Sequence, residues 1–113
     1  MKFKLSEYNV VPNVEERNAF CIQLIDDYLL YNKQKITDNN KIDEIKNMFM
    51  QYKDEVIKLN KEHISNYKGG RQKILSIQYE EGNVLRINGN TPSIEMANLY
   101  SDLKNKLISI IEQ

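Results

Sequence analysis

Apolar residues between positions 42 and 59 recur at intervals of 3, 4, 3, 4 and 3, and this spacing constrains the fold more than any other feature of the chain. It predicts a helix with a narrow apolar seam, of the kind that pairs lengthwise with another helix. Thr37 or Asp38 is suited to the N-cap, and the polar remainder of the segment extends to Tyr67. The seam consists of Ile42, Ile45, Phe49, Tyr52, Val56 and Leu59, with Met48 beside it.

A helix over residues 38–67 would contain 30 residues and would be about 45 Å long. A compact domain of 113 residues has a diameter of only roughly 35 Å. The helix must therefore break, project from the domain, or be covered by a second chain. We predict that the seam residues and Met48 form an interface, with a homodimer as the default assembly and packing within the chain as the alternative.

The first 32 residues predict a strand followed by a helix. The segment 2–10 alternates at its start, where Phe3 and Leu5 stand between Lys2, Lys4 and Ser6, as in a half-buried strand. Asn13 and Glu16 resemble a capping box, which predicts a helix from there to about Asn32. Its apolar face would hold the lone cysteine as a buried core thiol among Phe20, Cys21, Leu24, Ile25, Tyr28 and Leu29.

The second half of the chain predicts a hairpin over 72–88 and a final helix. A three-residue loop over 81–83 would pair Ile77 with Ile87 and Tyr79 with Leu85, and it would give an all-apolar inner face with Arg86 on the outer one. A two-residue loop over 81–82 is the alternative. Thr91 and Pro92 then suit the N-cap and first turn of the helix. Its apolar face would comprise Ala97, Tyr100, Leu103, Leu107, Ile110 and Ile111.

The element order β-α-α-β-β-α predicts an α+β fold in a single domain over residues 1–113. Because strands and helices do not alternate, the sheet should be small and antiparallel, formed by the N-terminal strand and the hairpin. Such a sheet is stable only when helices pack on it.

Composition excludes several classes of function. Cys21 and His63 are the only cysteine and histidine, so one chain offers no intramolecular disulfide and no zinc site of the Cys-rich or multi-histidine type. Sixteen basic and sixteen acidic residues give a net charge of 0, which disfavours general nucleic-acid binding. There is no apolar run long enough to span a membrane and no signal peptide, so we expect a cytoplasmic protein.

Two segments are candidates for chemistry. The residues Lys68, Gly69, Gly70, Arg71 and Lys73 combine glycines with cations, and with Arg86 they could hold an anion or a nucleotide phosphate. The alternative for this loop is a helix cap and basic linker, because it lacks the spacing of a phosphate-binding loop. His63 is the best candidate for acid–base catalysis, but it also suits the end of the long helix. We predict no catalytic site, no metal and no cofactor.

These observations favour a non-enzymatic binding protein that acts through protein contacts. Seven tyrosines and four methionines suit an interface, where both residue types are enriched. A phage- or mobile-element-encoded inhibitor, immunity protein or regulatory protein would fit this size. A nucleotide- or small-ligand-binding protein that uses the loop over 68–73 is the alternative.

Overall fold

The computed structural model of the chain describes residues 1–9, 17–62 and 71–113. Within these ranges the elements follow the order β-β-β-β-α-α-β-β-α, so the fold is α+β. The strands are β1 (Lys2–Asn9), β2 (Arg17–Ile25), β3 (Tyr28–Tyr31), β4 (Gln34–Ile36), β5 (Arg71–Glu80) and β6 (Asn83–Asn88), and the helices are α1 (Asn39–Gln51), α2 (Lys53–Glu62) and α3 (Ile94–Ile111).

The described strands form one antiparallel sheet in the order β4-β3-β2-β1-β5-β6. Odd-numbered residues of β1, such as Phe3 and Leu5, are buried, and so are Leu75 and Ile77 opposite them on β5. They belong to one core with the apolar faces of the three helices. The molecule is therefore a two-layer structure, with the helices on one face of the sheet.

The prediction for the N-terminal strand is confirmed, but the helix predicted from Asn13 to about Asn32 is wrong. Asn13 and Glu16 lie outside the described residues, and residues 17–31 form strands β2 and β3. Burial alternates in β2, because Ile22 and Leu24 face the core while their neighbours are half-buried. Apolar residues lie on both faces of β2 and β3. Over so few residues, their spacing also matches the 3.6-residue period of an amphipathic helix, and the helix was predicted for this reason.

Tight turns at Asp26 and Asn32 separate β2, β3 and β4. Asp26, Asn32 and Lys33 have positive φ angles of 49°, 46° and 74°, and Asp and Asn tolerate this left-handed conformation better than most residues. The Asn32 side chain also accepts a hydrogen bond from the backbone N–H of Cys21 at 3.0 Å. These turns join the short strands β3 and β4 to the sheet.

The long helix predicted over 38–67 breaks at Tyr52, so α1 and α2 are separate helices. Asp38 is the N-cap, as one of the two predicted candidates. Tyr52 has φ −94° and ψ 1°, and its N–H donates to the carbonyl of Phe49. The Tyr79 hydroxyl donates to that same carbonyl at 2.7 Å, so a strand residue stabilises the point where the helix ends. Residues 63–67 lie outside the described ranges.

The hairpin is present, but its predicted register is wrong by two residues. Ile77 pairs with Leu85 and Leu75 with Ile87, and an irregularity follows at Tyr79 before Glu80 pairs with Asn83. The turn therefore has the two residues of the alternative loop, Glu81 and Gly82, and Gly82 has a positive φ of 81°. The inner face is still apolar, because a shift of two residues preserves the alternation.

The final helix begins two residues later than predicted. Ser93 is the N-cap and accepts from the N–H of Met96, while the hydroxyl of Thr91 accepts from the N–H of Ser93. The buried face of α3 comprises Met96, Leu99, Tyr100, Leu103, Leu107, Ile110 and Ile111, and Ala97 is only partly buried.

Candidate functional site

One row of outward-facing side chains crosses all six described strands on the sheet face opposite the helices. Lys4 lies at its centre, paired with Gln23 on one side and Ser76 on the other. The pairing continues outward in both directions, so that the row consists of Lys35, Leu30, Gln23, Lys4, Ser76 and Arg86. At the usual spacing of neighbouring strands the row is about 24 Å long.

A second row lies two residues further along each strand. It contains Lys2 paired with Gln78, which in turn pairs with Val84, while Ile25 pairs with Tyr28 on the other side. We call the eleven residues of these two rows the open face. A depression of about 290 Å³ lies on it between the two lysines of β1, and its lining includes Gln23, Ile25 and Val84. This volume is at the lower end of small-molecule sites.

The open face carries positive charge without compensation from its own residues. The two rows hold four cations and no carboxylate, namely Lys2, Lys4, Lys35 and Arg86. In the part of the chain that the structure describes, neither Lys4 nor Arg86 forms an ion pair with a carboxylate. Lys35 lies over the ring of Tyr28 at 4.6 Å, and Lys2 contacts the turn residue Asp26 at 3.7 Å.

Acidic residues lie at one end of this face. The turn between β2 and β3 carries Asp26 and Asp27, and the turn between β5 and β6 carries Glu80 and Glu81 at its start. Both turns adjoin the row that contains Lys2, and all four carboxylates are on exposed residues. Asp26 pairs with Lys2, and Glu80 pairs with Lys53 of α2 at 3.8 Å. The face is therefore positive across its middle, and Asp27 and Glu81 add negative charge along one rim.

Apolar side chains separate the cations of the open face. Val84 is 50% exposed, and Ile25, Leu30 and Tyr28 are partly exposed. The mixture of exposed apolar groups with positively charged groups resembles a protein interface more than an enclosed ligand site.

The residues predicted to form an interface through the helical seam instead lie in the core. Ile42, Ile45, Met48, Phe49, Val56 and Leu59 are all at most 7% exposed and pack against the sheet and α3. Tyr52 is partly buried at the break between α1 and α2. Because the helix breaks there, both halves of the seam face one core, which corresponds to the alternative of packing within the chain.

The predicted anion site is not assembled in the described residues. Lys68, Gly69 and Gly70 lie outside those residues, as does the side chain of Arg71. Lys73 pairs with Glu7 on the helix side of the sheet, whereas Arg86 pairs with Ser76 on the open face. Because neighbouring side chains of a strand alternate between faces, Lys73 and Arg86 project to opposite sides of the sheet.

His63 also lies outside the described residues. Cys21 is half-buried on β2 and pairs with Ser6, so it is not the core thiol of a helix that the sequence predicted. Within the described ranges, no group of three or more His, Cys, Asp or Glu residues is placed to hold a metal ion. None of the helices in these ranges is both long enough and apolar enough to span a membrane.

A buried polar cluster that sequence reasoning missed lies at the other end of β1. Glu7 is 5% exposed and accepts hydrogen bonds from Tyr100 Oη at 2.9 Å and Lys104 Nζ at 2.8 Å. Burial by itself raises the pKa of Glu7, but these two bonds and the charges of Lys104 and Lys73 outweigh it, so the net pKa is lowered.

Each member of this cluster already has a partner, and a carboxylate with a lowered pKa is a poor proton donor at neutral pH. The geometry therefore assigns it to joining α3 to β1. Only the odd-numbered position of Glu7 in the alternating strand could have indicated from the sequence that its carboxylate faces inward.

Comparison with protein-family models, with curated proteins and with solved structures finds no significant match to this chain.

Proposed function

We propose that this chain is a non-enzymatic binding protein that acts through protein contacts, and that the open face is its contact surface. The observation that carries the proposal is the row through Lys4, in which cations alternate with apolar and neutral polar groups across the whole sheet. Within the described residues, the helix layer buries the opposite face of the sheet and leaves the open face without a covering layer, so that a partner can dock there.

The polar groups of the described interior support a binding role over catalysis. The buried carboxylate of Glu7 is held by Tyr100 and Lys104, and the half-buried hydroxyl of Tyr79 is committed to the carbonyl of Phe49. These contacts stabilise the fold by joining α3 to β1 and β5 to α1. An inhibitor, immunity protein or regulatory protein, encoded by a phage or mobile element, remains the role that best fits a chain of this size.

Site-specific photo-crosslinking tests this proposal. A photo-reactive amino acid replaces Gln23 in the open face, and a matched variant carries it at the exposed position Lys58 on α2. In extract from the source organism, we expect a discrete polypeptide adduct from the first variant, competed by excess unmodified protein, and none from the second. Absence of an adduct at Gln23, or an adduct only with nucleic acid, would contradict the proposal.

A further inference from the structure

We propose that the partner bound by the open face is an acidic protein surface, in which carboxylates alternate with apolar groups. This inference rests on the proposed function and adds the chemistry of the partner to it. It is based on the positions of Lys4, Lys35 and Arg86, which lie in one row on three different strands.

The spacing of these cations favours a partner with separated carboxylates. Lys35 and Lys4 are three strands apart and lie at about 14 Å, while Lys4 and Arg86 are two strands apart and lie at about 10 Å. Leu30 lies between Lys35 and Lys4 in this row, and the exposed Val84 lies beside Arg86 in the second row. A complementary surface would therefore place carboxylates opposite the cations and apolar groups between them.

A nucleic acid fits this face less well. A duplex carries one negative charge per about 1.7 Å of its axis, so three cations over about 24 Å would neutralise only a small part of it. Base stacking on a sheet uses several aromatic side chains, whereas the two rows contain only Tyr28, and Lys35 already lies over its ring. The net charge of 0 for the whole chain points the same way.

A second copy of the chain is disfavoured as the occupant. In a two-fold dimer the same patch meets itself, so the cations of one open face would approach those of the other. Neither row supplies a carboxylate to pair with them. Asp26 and Glu80 at the rim are paired with Lys2 and Lys53. The exposed Asp27 and Glu81 would orient an unlike partner, because they repel carboxylates at that end of the face.

The test is a titration followed by amide chemical shifts, with a defined 16-residue peptide of alternating Glu and Leu pairs as the probe. We expect shifts at Lys4, Gln23, Leu30, Ser76 and Arg86, and none on the outer surfaces of α1 and α3. Lys4→Glu should weaken binding about tenfold, because it replaces attraction by repulsion. The matched charge reversal Lys58→Glu on α2 should leave the affinity within a factor of about two.

Three results would overturn the acidic partner. The first is the absence of amide chemical-shift changes at millimolar concentrations of the Glu-Leu peptide. The second is equal affinity for a peptide with Lys in place of Glu, and the third is a higher affinity for single-stranded dT12 or ATP than for the Glu-Leu peptide. Failure of the inference and failure of the proposed function are distinguishable by the crosslinking experiment. A polypeptide adduct at Gln23 that persists in Lys4→Glu and in high salt would retain a protein-binding function and exclude an acidic partner.

Discussion

Gly89 lies directly beneath the ring of Tyr100, with no room for a side chain between them. A Cβ built on Gly89 would stand 2.4 Å from Cδ1 and 2.7 Å from Cγ of that ring. Tyr100 is 2% exposed and its hydroxyl is held by Glu7, so the ring has little freedom to move away. The N–H of Gly89 also donates to the carbonyl of Lys73 at 2.8 Å, which fixes the backbone on the other side.

We therefore expect Gly89→Ala to lower the free energy of unfolding by about 1–3 kcal/mol through overpacking. Urea denaturation measures this loss. The control is a double-mutant cycle with Tyr100→Ala, in which the added methyl group no longer meets a ring. A penalty for Gly89→Ala that stays the same in the Tyr100→Ala background would show that the ring is not its cause.

Because Glu7 forms an ion pair with Lys104, we expect the free energy of unfolding to decrease at acid pH. The pKa of Glu7 in the folded protein is lowered from its ordinary value of 4.5. The stabilisation is therefore fully present above pH 4.5 and is lost as the pH falls through the lower folded-state pKa. Glu7→Gln should be less stable than the unmodified chain at neutral pH, and the difference should shrink toward pH 3.

The matched variant Lys104→Met keeps the carboxylate and removes its cationic partner. We expect a loss of about 1–3 kcal/mol at pH 7, since a buried acceptor loses a charged donor while the lysine side chain is partly exposed. Unfolding in urea at pH 7, 5 and 3 provides both tests. A constant difference between Glu7→Gln and the parent across this range would contradict the pH argument.

How far the sequence predicts this fold depends on whether a pattern has one structural solution. The strand at Phe3 and Leu5 was predicted correctly, because strict alternation over several residues fits only a strand. Asp38, one of the two predicted N-cap residues, and the inward face of Ile77 were predicted for similar local reasons. In each case, the predicting residues lie within a single element.

The failures concern residues whose role is set by distant neighbours. Ile22 and Leu24 are buried in β2, which pairs with β1 on one side and β3 on the other. The spacing of apolar residues within β2 does not reveal this pairing. The helix breaks at Tyr52, whose N–H donates to the carbonyl of Phe49. The hydroxyl of Tyr79, which is distant in sequence, donates to the same carbonyl. The candidate site depends in the same way on register, since Lys4 and Arg86 share a row only once the hairpin pairing is known.

Because the hydroxyl of Tyr79 is partly buried, we expect the free energy of unfolding to decrease at alkaline pH. Burial raises the pKa of this tyrosine from 10.0 to about 12. Its stabilising contribution is therefore present below pH 10 and is lost as the pH rises through about 12. Tyr79→Phe should cost about 1–2 kcal/mol at pH 7, because the bond to the Phe49 carbonyl is lost, and should reduce the alkaline decline.

Urea unfolding at pH 7 and pH 11 measures both effects of Tyr79→Phe. The matched control is Tyr28→Phe, since that ring lies on the open face beneath Lys35. Equal losses at pH 7 for the two variants would show that the contact with α1 adds nothing specific.

Asp38 caps the N-terminus of α1, and its substitution measures how much this cap contributes to stability. Its carboxylate accepts from the N–H of Asn40 at 3.0 Å and from that of Lys41 at 3.3 Å. Asp38→Ala should lower the free energy of unfolding by about 1 kcal/mol, because both N–H groups lose their acceptor. The control Thr37→Ala removes the neighbouring exposed hydroxyl and should change stability by less than about 0.5 kcal/mol. Urea midpoints measure both variants, and amide exchange locates the effect. Faster exchange confined to the first turn of α1 in Asp38→Ala is the expected signature, while equal effects from the two substitutions would refute a capping role.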